Sequence, residues 1–312
     1  MDKAKLKAPN YIQFYPTLRC NHSCSFCFNR GIPRARDATV EEFEKIAGIC
    51  EASGVEHIDI LGGEPTLHSC LEEIISIICK NRLSTTISTN GSLPEKLFSL
   101  SEKFSGQNAR IGISINESGA SQGLHDYILA ERPIVKTVYT GSDNPEQSLR
   151  PYIQMPEIDC RLIFRDAADC SDLGNCPSFE SFLNRLTDLK KQYPGLEGVF
   201  CGGFIPDTKT YPELEATRCP AGTTKLSVLC DGSVYPCYLL FKYRRFYLGN
   251  ILKDDFSEIR KHPVLDFFRT FSGNPCRNKS CMFYRKCRGG CPAMSYLAYN
   301  RLDLPDPRCN NI

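Results

Sequence analysis

The sequence lacks tryptophan, any large net charge and any long apolar run. Its 38 Lys and Arg residues nearly balance 36 Asp and Glu residues, and the net charge of +2 gives no general case for nucleic-acid binding. The N-terminal residues lack the apolar segment of a secretory signal. Because no apolar run approaches a membrane-spanning length, we expect a cytoplasmic protein without membrane spans.

Cysteine, in contrast, is abundant, with 18 residues in a chain of 312. In a secreted protein that number would indicate disulfides, but in a reducing cytosol it indicates metal ligation. Hydrophobic residues make up 41% of the chain and charged residues 24%, as expected for a globular protein with a sizeable core. The length allows one large domain or two ordinary ones.

Positive charge is concentrated near the C-terminal end. Residues 242–301 contain 13 Lys and Arg against 4 Asp and Glu, a net charge of +9. Such a region can attract an acidic partner, and the alternative is an ordinary solvated basic surface.

Strand-like and helix-like segments alternate over the first two thirds of the chain. This alternation predicts a parallel sheet with right-handed crossovers. About six strand–helix units are present, fewer than the eight of a closed barrel, and chemistry in such folds gathers where strands end. The predicted strands are residues 11–17, 57–61, 84–89, 110–116, 134–140 and 158–165, and the predicted helices are 40–50, 70–82, 95–104, 125–131 and 179–189.

Three thiols follow the first predicted strand with the spacing Cys-x3-Cys-x2-Cys. They belong to Cys20, Cys24 and Cys27. A structural zinc ion or a fully ligated four-iron cluster needs four ligands, so three thiols indicate a metal centre with one position left for another molecule. The alternatives are a zinc knuckle or three unrelated thiols, but the spacing is a poor one for zinc.

This motif and its position resemble the radical S-adenosylmethionine (radical SAM) superfamily. The resemblance implies that the three cysteines hold a [4Fe–4S] cluster whose fourth iron is chelated by SAM, with Phe26 near the adenine. It implies a partial (β/α)6 barrel. It also implies a low-potential electron donor such as flavodoxin or ferredoxin, and a 5′-deoxyadenosyl radical that abstracts a substrate hydrogen.

The turn after the second predicted strand, Gly62-Gly63-Glu64-Pro65, resembles the GGEP motif of the same family. Two glycines would let backbone carbonyls approach the cofactor closely. Glu64 would bind the cofactor ammonium through a charge-assisted hydrogen bond, and Pro65 would stiffen the turn. Standing alone, the motif would be an ordinary Gly–Pro turn with a surface glutamate.

Polar residues at the ends of the third and fourth predicted strands occupy positions that, in the family, contact the cofactor carboxylate and ribose. The alternative is that they are common turn residues. These residues are Ser88, Asn90, Ser114 and Asn116.

A second group of cysteines occupies the last third of the chain. The pattern is Cys219, Gly232-x4-Cys237, Cys276-x4-Cys281-x5-Cys287-x3-Cys291 and Cys309. It resembles the SPASM extension of radical SAM maturases, which binds two auxiliary [4Fe–4S] clusters. The spacing Cys276-x4-Cys281 departs from the usual x2 and puts the role of Cys276 in doubt.

The resemblance implies how these thiols are shared between the clusters. The second cluster would take Cys276, Cys281, Cys287 and Cys309, whereas the first would have three ligands, Cys219, Cys237 and Cys291. Either Cys230 supplies a fourth ligand or one iron stays open to substrate or solvent, and we favour the open iron. Four thiols between the two groups have no assigned role: Cys160, Cys170, Cys176 and Cys201. Those of Cys170, Cys176 and Cys201 could face the active cavity if the strand at 158–165 is correct, but we favour the commoner alternative, burial as small hydrophobes.

These motifs predict a radical SAM domain over residues 8–205 and an auxiliary-cluster domain over 206–312. The first functional hypothesis is a maturase of peptides or proteins that forms a cross-link or oxidises a side chain. The second is a small-molecule radical SAM dehydrogenase in cofactor or natural-product biosynthesis. The third is a non-enzymatic zinc or nucleic-acid-binding protein, for which the uneven basic charge is the support.

Two further expectations concern the substrate. About ten residues precede the first strand, too few for a fused recognition domain, so a peptide-recognition domain would be a separate protein. The sequence does not rank the groups that could accept a substrate proton: Asp166, Asp169, Glu117 and Tyr238.

Overall fold

A computed structural model describes residues 9–33, 35–115, 119–141, 145–201, 204, 219–274, 276, 278–281, 287 and 289–309. The strands are β1 (Tyr11–Tyr15), β2 (His57–Ile60), β3 (Ser84–Thr89), β4 (Ala109–Ser114), β5 (Ile134–Tyr139), β6 (Cys160–Phe164), β7 (Glu197–Val199), β8 (Lys225–Leu229), β9 (Ser233–Tyr235) and β10 (Gly249–Asn250). The helices are α1 (Val40–Ala52), α2 (Leu71–Lys80), α3 (Pro94–Lys103), α4 (Gln122–Glu131), α5 (Phe179–Gln192), α6 (Phe256–Ile259), α7 (Leu265–Thr270) and α8 (Pro292–Tyr299). Within these residues we find no helix whose length and hydropathy would let it span a bilayer.

The ten strands form one sheet in the order β10-β9-β8-β1-β2-β3-β4-β5-β6-β7. Strands β1 to β7 are parallel, and β8 pairs in parallel with the free side of β1, so that Phe14 lies opposite Ile60 on one side and Val228 on the other. The parallel α/β fold predicted from the sequence is confirmed. Between β5 and β6 the described residues contain a 3-10 turn, Pro145–Ser148, where the preceding connections each contain a long helix.

Local sequence explains how α1 begins directly after the cysteine loop. Thr39 caps the helix by accepting a hydrogen bond from the N–H of Glu42, whose side chain in turn accepts one from the N–H of Thr39. This capping box satisfies two backbone donors that the first helical turn leaves without partners. Behind the cap, Phe43 and Ile46 are fully buried against the sheet.

The two faces of the sheet differ in polarity because successive side chains of a strand point to opposite faces. On the helix-covered face, Ile12 and Ile58 belong to the main apolar core. The other face is polar and half-exposed. There the Tyr11 hydroxyl donates to Asp59 at 2.6 Å, and Lys136 lies half-buried on β5.

The sheet continues across the predicted boundary between residues 205 and 206, since β8, β9 and β10 are part of it. The hairpin predicted at Asp231-Gly232 is confirmed: β8 and β9 pair antiparallel, and Gly232 has φ +84° in the turn between them. The division into domains 8–205 and 206–312 stays a prediction.

Candidate active site and cluster sites

The loop that carries the first three cysteines follows β1 at the edge where the parallel strands end. Cys20 is exposed, and Cys24 and Cys27 are half-buried. The N–H of Cys27 donates to the carbonyl of Cys24 at 3.2 Å, which gives this part of the loop a tight turn. The N–H of His22 points at the sulfur of Cys20, 3.4 Å away.

The two glycines after β2 allow this loop to pack against the neighbouring strand end. The N–H of Gly63 donates to the carbonyl of Thr17 at 3.0 Å. A Cβ at Gly62 would lie 2.4 Å from the Thr17 oxygen, and one at Gly63 would lie 2.1 Å from the Arg19 oxygen. The two glycines therefore let this turn pack closely against the cysteine loop, and their close approach to the cofactor stays a prediction.

Glu64 is buried, and its carboxylate is bonded to the chain itself. Oε1 accepts from the N–H of Thr66 at 2.9 Å, the hydroxyl of Thr66 at 2.7 Å and the hydroxyl of Thr89 at 2.6 Å. Oε2 accepts from the N–H of Asn90 at 2.7 Å. The side chain thus joins the turn after β2 to the end of β3. Its bond to the cofactor ammonium stays a prediction, and Oε2 has the remaining capacity for it.

The other predicted cofactor-binding residues lie at the same edge. The side chain of Asn90 donates to Asn21 in the cysteine loop at 2.9 Å. Lys136 donates to Ser88 at 2.6 Å, and burial lowers the pKa of this lysine.

Four predicted residues remain to be placed. Ser114, the last residue of β4, is half-buried, as is Phe26, whereas Pro65 is buried and begins a 3-10 turn. Asn116 lies outside the described residues.

The structure brings the predicted ligands of the first auxiliary cluster together. Cys219 precedes β8, Cys237 follows β9 and Cys291 is the N-cap of α8. All three pack in one cluster with Cys201, to which the sequence assigned no role. Burial, helped by the thiolate charges of Cys291 and Cys237, raises the pKa of Cys219 to about 12.

Part of the second predicted ligand set is also brought together. Burial, together with the charges of Cys309 and Cys276, raises the pKa of Cys287 to about 11, which places the three thiols near one another. Cys281 lies in the adjoining turn, where its N–H donates to Asn278 at 3.3 Å. Its part in the cluster stays a prediction.

One backbone feature recurs at four of the predicted ligands and fits iron–sulfur ligation. The sulfur accepts the N–H of the residue two positions further on: His22 for Cys20, Ala221 for Cys219, Leu239 for Cys237 and Gly289 for Cys287. Such bonds favour the thiolate form that iron requires, and hydrogen bonds to the sulfurs change the reduction potential of an iron–sulfur cluster. Among the described residues, no three His, Cys, Asp or Glu side chains are arranged to hold a single metal ion.

Tyr238 connects the two cysteine regions. Its ring packs on Phe28, the residue after Cys27, with the ring centroids 4.6 Å apart. Its hydroxyl donates to Asp166 at 2.6 Å, and Asp166 also accepts from Arg308 at 2.8 Å. Two of the four residues that could accept a substrate proton, Tyr238 and Asp166, are thus hydrogen-bonded to each other. They lie between the loop of the first cluster and the predicted ligands of the first auxiliary cluster.

The other two are placed differently. Asp169 caps a 3-10 turn by accepting from the N–H of Asp172 at 3.0 Å, and the hydroxyl of Ser171 lowers its pKa. Glu117 lies outside the described residues.

Sequence reasoning missed a buried ion-pair unit beside the last cysteine. Arg308 and Asp306 are both buried and bonded to each other at 2.7 Å. Asp306 also accepts the N–H of Cys291 at 2.9 Å, so this unit orients a predicted ligand. The sequence signal was an aspartate and an arginine two residues apart, directly before Cys309, because charged residues near a buried ligand need a partner of opposite charge.

Comparisons with known proteins agree with this geometry. The model of the radical SAM superfamily matches residues 14–128, and that of the iron–sulfur cluster-binding SPASM domain matches 219–292, which together is more than half of the chain. The chain is 26% identical over 308 residues to the antilisterial bacteriocin subtilosin biosynthesis protein AlbA of Bacillus subtilis, covering 91% of this chain and 67% of that protein. It is 26% identical over 333 residues to the mycofactocin maturase MftC of Mycolicibacterium smegmatis, covering 97% and 83%.

A solved structure shares the fold. Streptococcus suis SuiB bound to the precursor peptide SuiA superimposes with a TM-score of 0.71 at 19% identity, covering 97% of this chain and 76% of SuiB. These matches give no support to the hypothesis of a non-enzymatic zinc or nucleic-acid-binding protein.

Proposed function

We propose that this chain, which belongs to the radical SAM superfamily and carries an iron–sulfur cluster-binding SPASM domain, oxidatively modifies a peptide or protein substrate. Its family makes it an enzyme that uses SAM, a [4Fe–4S] cluster and auxiliary iron–sulfur clusters. When bound, these groups supply hydrogen-atom abstraction and electron transfer, while the protein orients them and excludes water. Cys20, Cys24 and Cys27 would hold the first cluster.

The observation that carries the proposal is the contact between Phe28 and Tyr238. Phe28 follows Cys27 and Tyr238 follows Cys237, so this contact places the loop of the first cluster next to the predicted ligands of the first auxiliary cluster. A substrate bound beside these two rings would be near both clusters. That arrangement suits a net oxidation, in which a hydrogen atom leaves the substrate on one side and an electron on the other.

Asp166 is the residue we assign to removal of the substrate proton. Arg308 donates to its carboxylate at 2.8 Å, which holds the carboxylate in a fixed position. Burial and the neighbouring charge of Asp166 raise the pKa of Tyr238 well above its usual value, so that the Tyr238 hydroxyl stays protonated. We therefore propose Asp166 as the acceptor and Tyr238 as the donor that orients it.

The nature of the relatives supports a peptide substrate. AlbA takes part in bacteriocin biosynthesis, MftC is a maturase, and SuiB was solved with a precursor peptide. The basic segment 242–301 suits a peptide with acidic residues. The proposal includes a low-potential electron donor such as flavodoxin or ferredoxin, and a separate recognition protein where the peptide needs one.

The test uses anaerobically reconstituted enzyme, SAM, a reductant and the short peptides encoded beside the gene. We expect SAM cleavage that depends on the peptide, and a product whose mass is lower by the hydrogens removed. Deuterium placed at the reacting position should appear in 5′-deoxyadenosine. Cys20→Ala should abolish both signals, whereas Cys170→Ala, which removes an exposed thiol outside the predicted ligand sets, should leave them intact. Turnover of a small alcohol with no peptide modified would instead favour the small-molecule dehydrogenase.

A further inference from the structure

The first auxiliary group needs one more ligand than the sequence motif supplies. Cys219, Cys237 and Cys291 are three thiols, whereas a closed four-iron cluster takes four. We propose that Cys201 is the fourth ligand and that this cluster is closed. This inference rests on the proposed function only in taking the chain to hold auxiliary clusters.

The position of the Cys201 side chain is the first argument. The Cys201 side chain lies close enough to that of Cys291 to hydrogen-bond with it. Cys219 and Cys237 belong to the packed cluster that also contains Cys201 and Cys291, and the charges of Cys237 and Cys291 act on the Cys219 thiol. Four thiols from four separate segments are the ligand set that a closed cluster needs.

Phe204, three residues after Cys201, holds Cys201 in this position. After β7, the N–H of Phe204 donates to the carbonyl of Cys201 at 2.9 Å. Phe204 is buried and stacks on Phe179, with the ring centroids 3.9 Å apart and the ring planes 22° apart. Because this ring is fixed in the core, its backbone hydrogen bond to Cys201 helps to hold Cys201 in place.

Gly290 brings the Cys291 segment to the same place. It has φ +82°, and a Cβ at this position would lie 2.6 Å from the ring of Phe204 and 2.2 Å from the Cβ of Asp306. Only glycine lets the backbone before Cys291 approach the ring so closely. Asp306 then accepts the N–H of Cys291, so the positions of the two thiols are set by one packed unit.

Cys230, the fourth ligand that the sequence suggested, lies elsewhere. It follows β8 and packs in the main core, whereas Leu229, one residue earlier, packs in the cluster that holds the three ligands. Side chains of consecutive strand residues point to opposite faces, so Cys230 is directed away from the ligands. The charges that act on its thiol are those of Asp231 and Asp37.

Closure by Cys201 limits what this cluster can do. Cys201 would supply the fourth protein ligand as a thiolate, with its proton released to solvent. With four thiolate ligands, the cluster would have no coordination position left for the substrate. The cluster would therefore act near the substrate without binding it, in contrast to the open iron that we expected from the sequence.

The experiment isolates the auxiliary clusters by using the full chain with Cys20, Cys24 and Cys27 replaced by alanine. Cys201→Ala and Cys230→Ala are compared in this background, together with Cys201→Ser, which keeps a weaker oxygen ligand. Iron content, Mössbauer spectra and electron paramagnetic resonance of the reduced protein are recorded with and without imidazole as an external ligand. No substrate is needed, so the result does not depend on whether the chain modifies peptides.

We expect imidazole to leave the spectra of the parent protein and of Cys230→Ala unchanged. Cys201→Ala should either bind imidazole, with a shifted spectrum, or lose about one to four irons. Cys201→Ser should keep its iron with an altered spectrum. An imidazole shift in the parent protein would overturn the proposal in favour of an open iron. A Cys201→Ala variant that matches the parent, or matches Cys230→Ala, would overturn it as well.

Discussion

Replacement of Glu64 tests whether this residue of the GGEP turn holds the fold together. Its carboxylate accepts hydrogen bonds from Thr66, Thr89 and Asn90, and two of the donors are backbone N–H groups that cannot turn to another acceptor. A buried donor without an acceptor costs about 1–3 kcal/mol. We therefore expect Glu64→Ala to lower the free energy of unfolding by about 4 kcal/mol, since the hydroxyl donors add a smaller loss.

Glu64→Gln should have an intermediate effect. Its amide oxygen can still accept the three bonds made to Oε1, but its NH2 group would face the N–H of Asn90, so that two donors meet. We expect a loss of about 2 kcal/mol. Both variants keep the backbone of the turn, so the difference between them reports on the hydrogen bonds.

The assay is urea unfolding followed by circular dichroism, together with calorimetric titration of SAM. With a slope of about 3 kcal/mol per molar urea, Glu64→Ala should unfold at a urea concentration lower by about 1 M. Glu51→Gln, an exposed glutamate on α1, is the control and should unfold with the wild type. A Glu64→Ala protein that unfolds with the wild type but binds SAM far more weakly would refute the structural role and favour the cofactor role.

Three further predictions concern other parts of the site. Gly63→Ala places a Cβ 2.1 Å from a backbone oxygen of the cysteine loop, so iron content should fall by about four per chain, whereas Gly48→Ala, with open space around it, should keep its iron. Arg308→Met leaves a fully buried carboxylate unpaired and should cost about 3–5 kcal/mol of stability. The control Arg301→Met breaks an exposed pair and should cost less than about 1 kcal/mol, both by urea unfolding. Tyr238→Phe removes a 2.6 Å hydrogen bond to the proposed proton acceptor. The ratio of modified peptide to 5′-deoxyadenosine should fall about 10-fold, and an unchanged ratio would exclude the positioning role.

Local patterns in the sequence were sufficient for the elements of the fold. The spacing of Phe43, Ile46 and Cys50 predicted α1, which begins at Val40, and the alternation of strands and helices predicted the parallel sheet. Both signals depend on neighbours a few residues apart, which a single sequence contains in full. The continuation of the sheet through β8 was not predicted, because the pairing of β8 with β1 joins segments more than 200 residues apart.

For the candidate site, too, the sequence predicted one part and the packing of distant segments decided the other. The motif Cys-x3-Cys-x2-Cys and the later cysteine spacings were sufficient to predict the family and its cofactors, because cluster ligation depends on residue type and on short intervals along the chain. The tertiary structure alone decided that Glu64 is bonded to the end of β3, that Tyr238 reaches Asp166, and that Cys201 meets Cys291. Each of these contacts is made only when distant segments pack, and a strand one residue longer or shorter would turn the side chains to the other face.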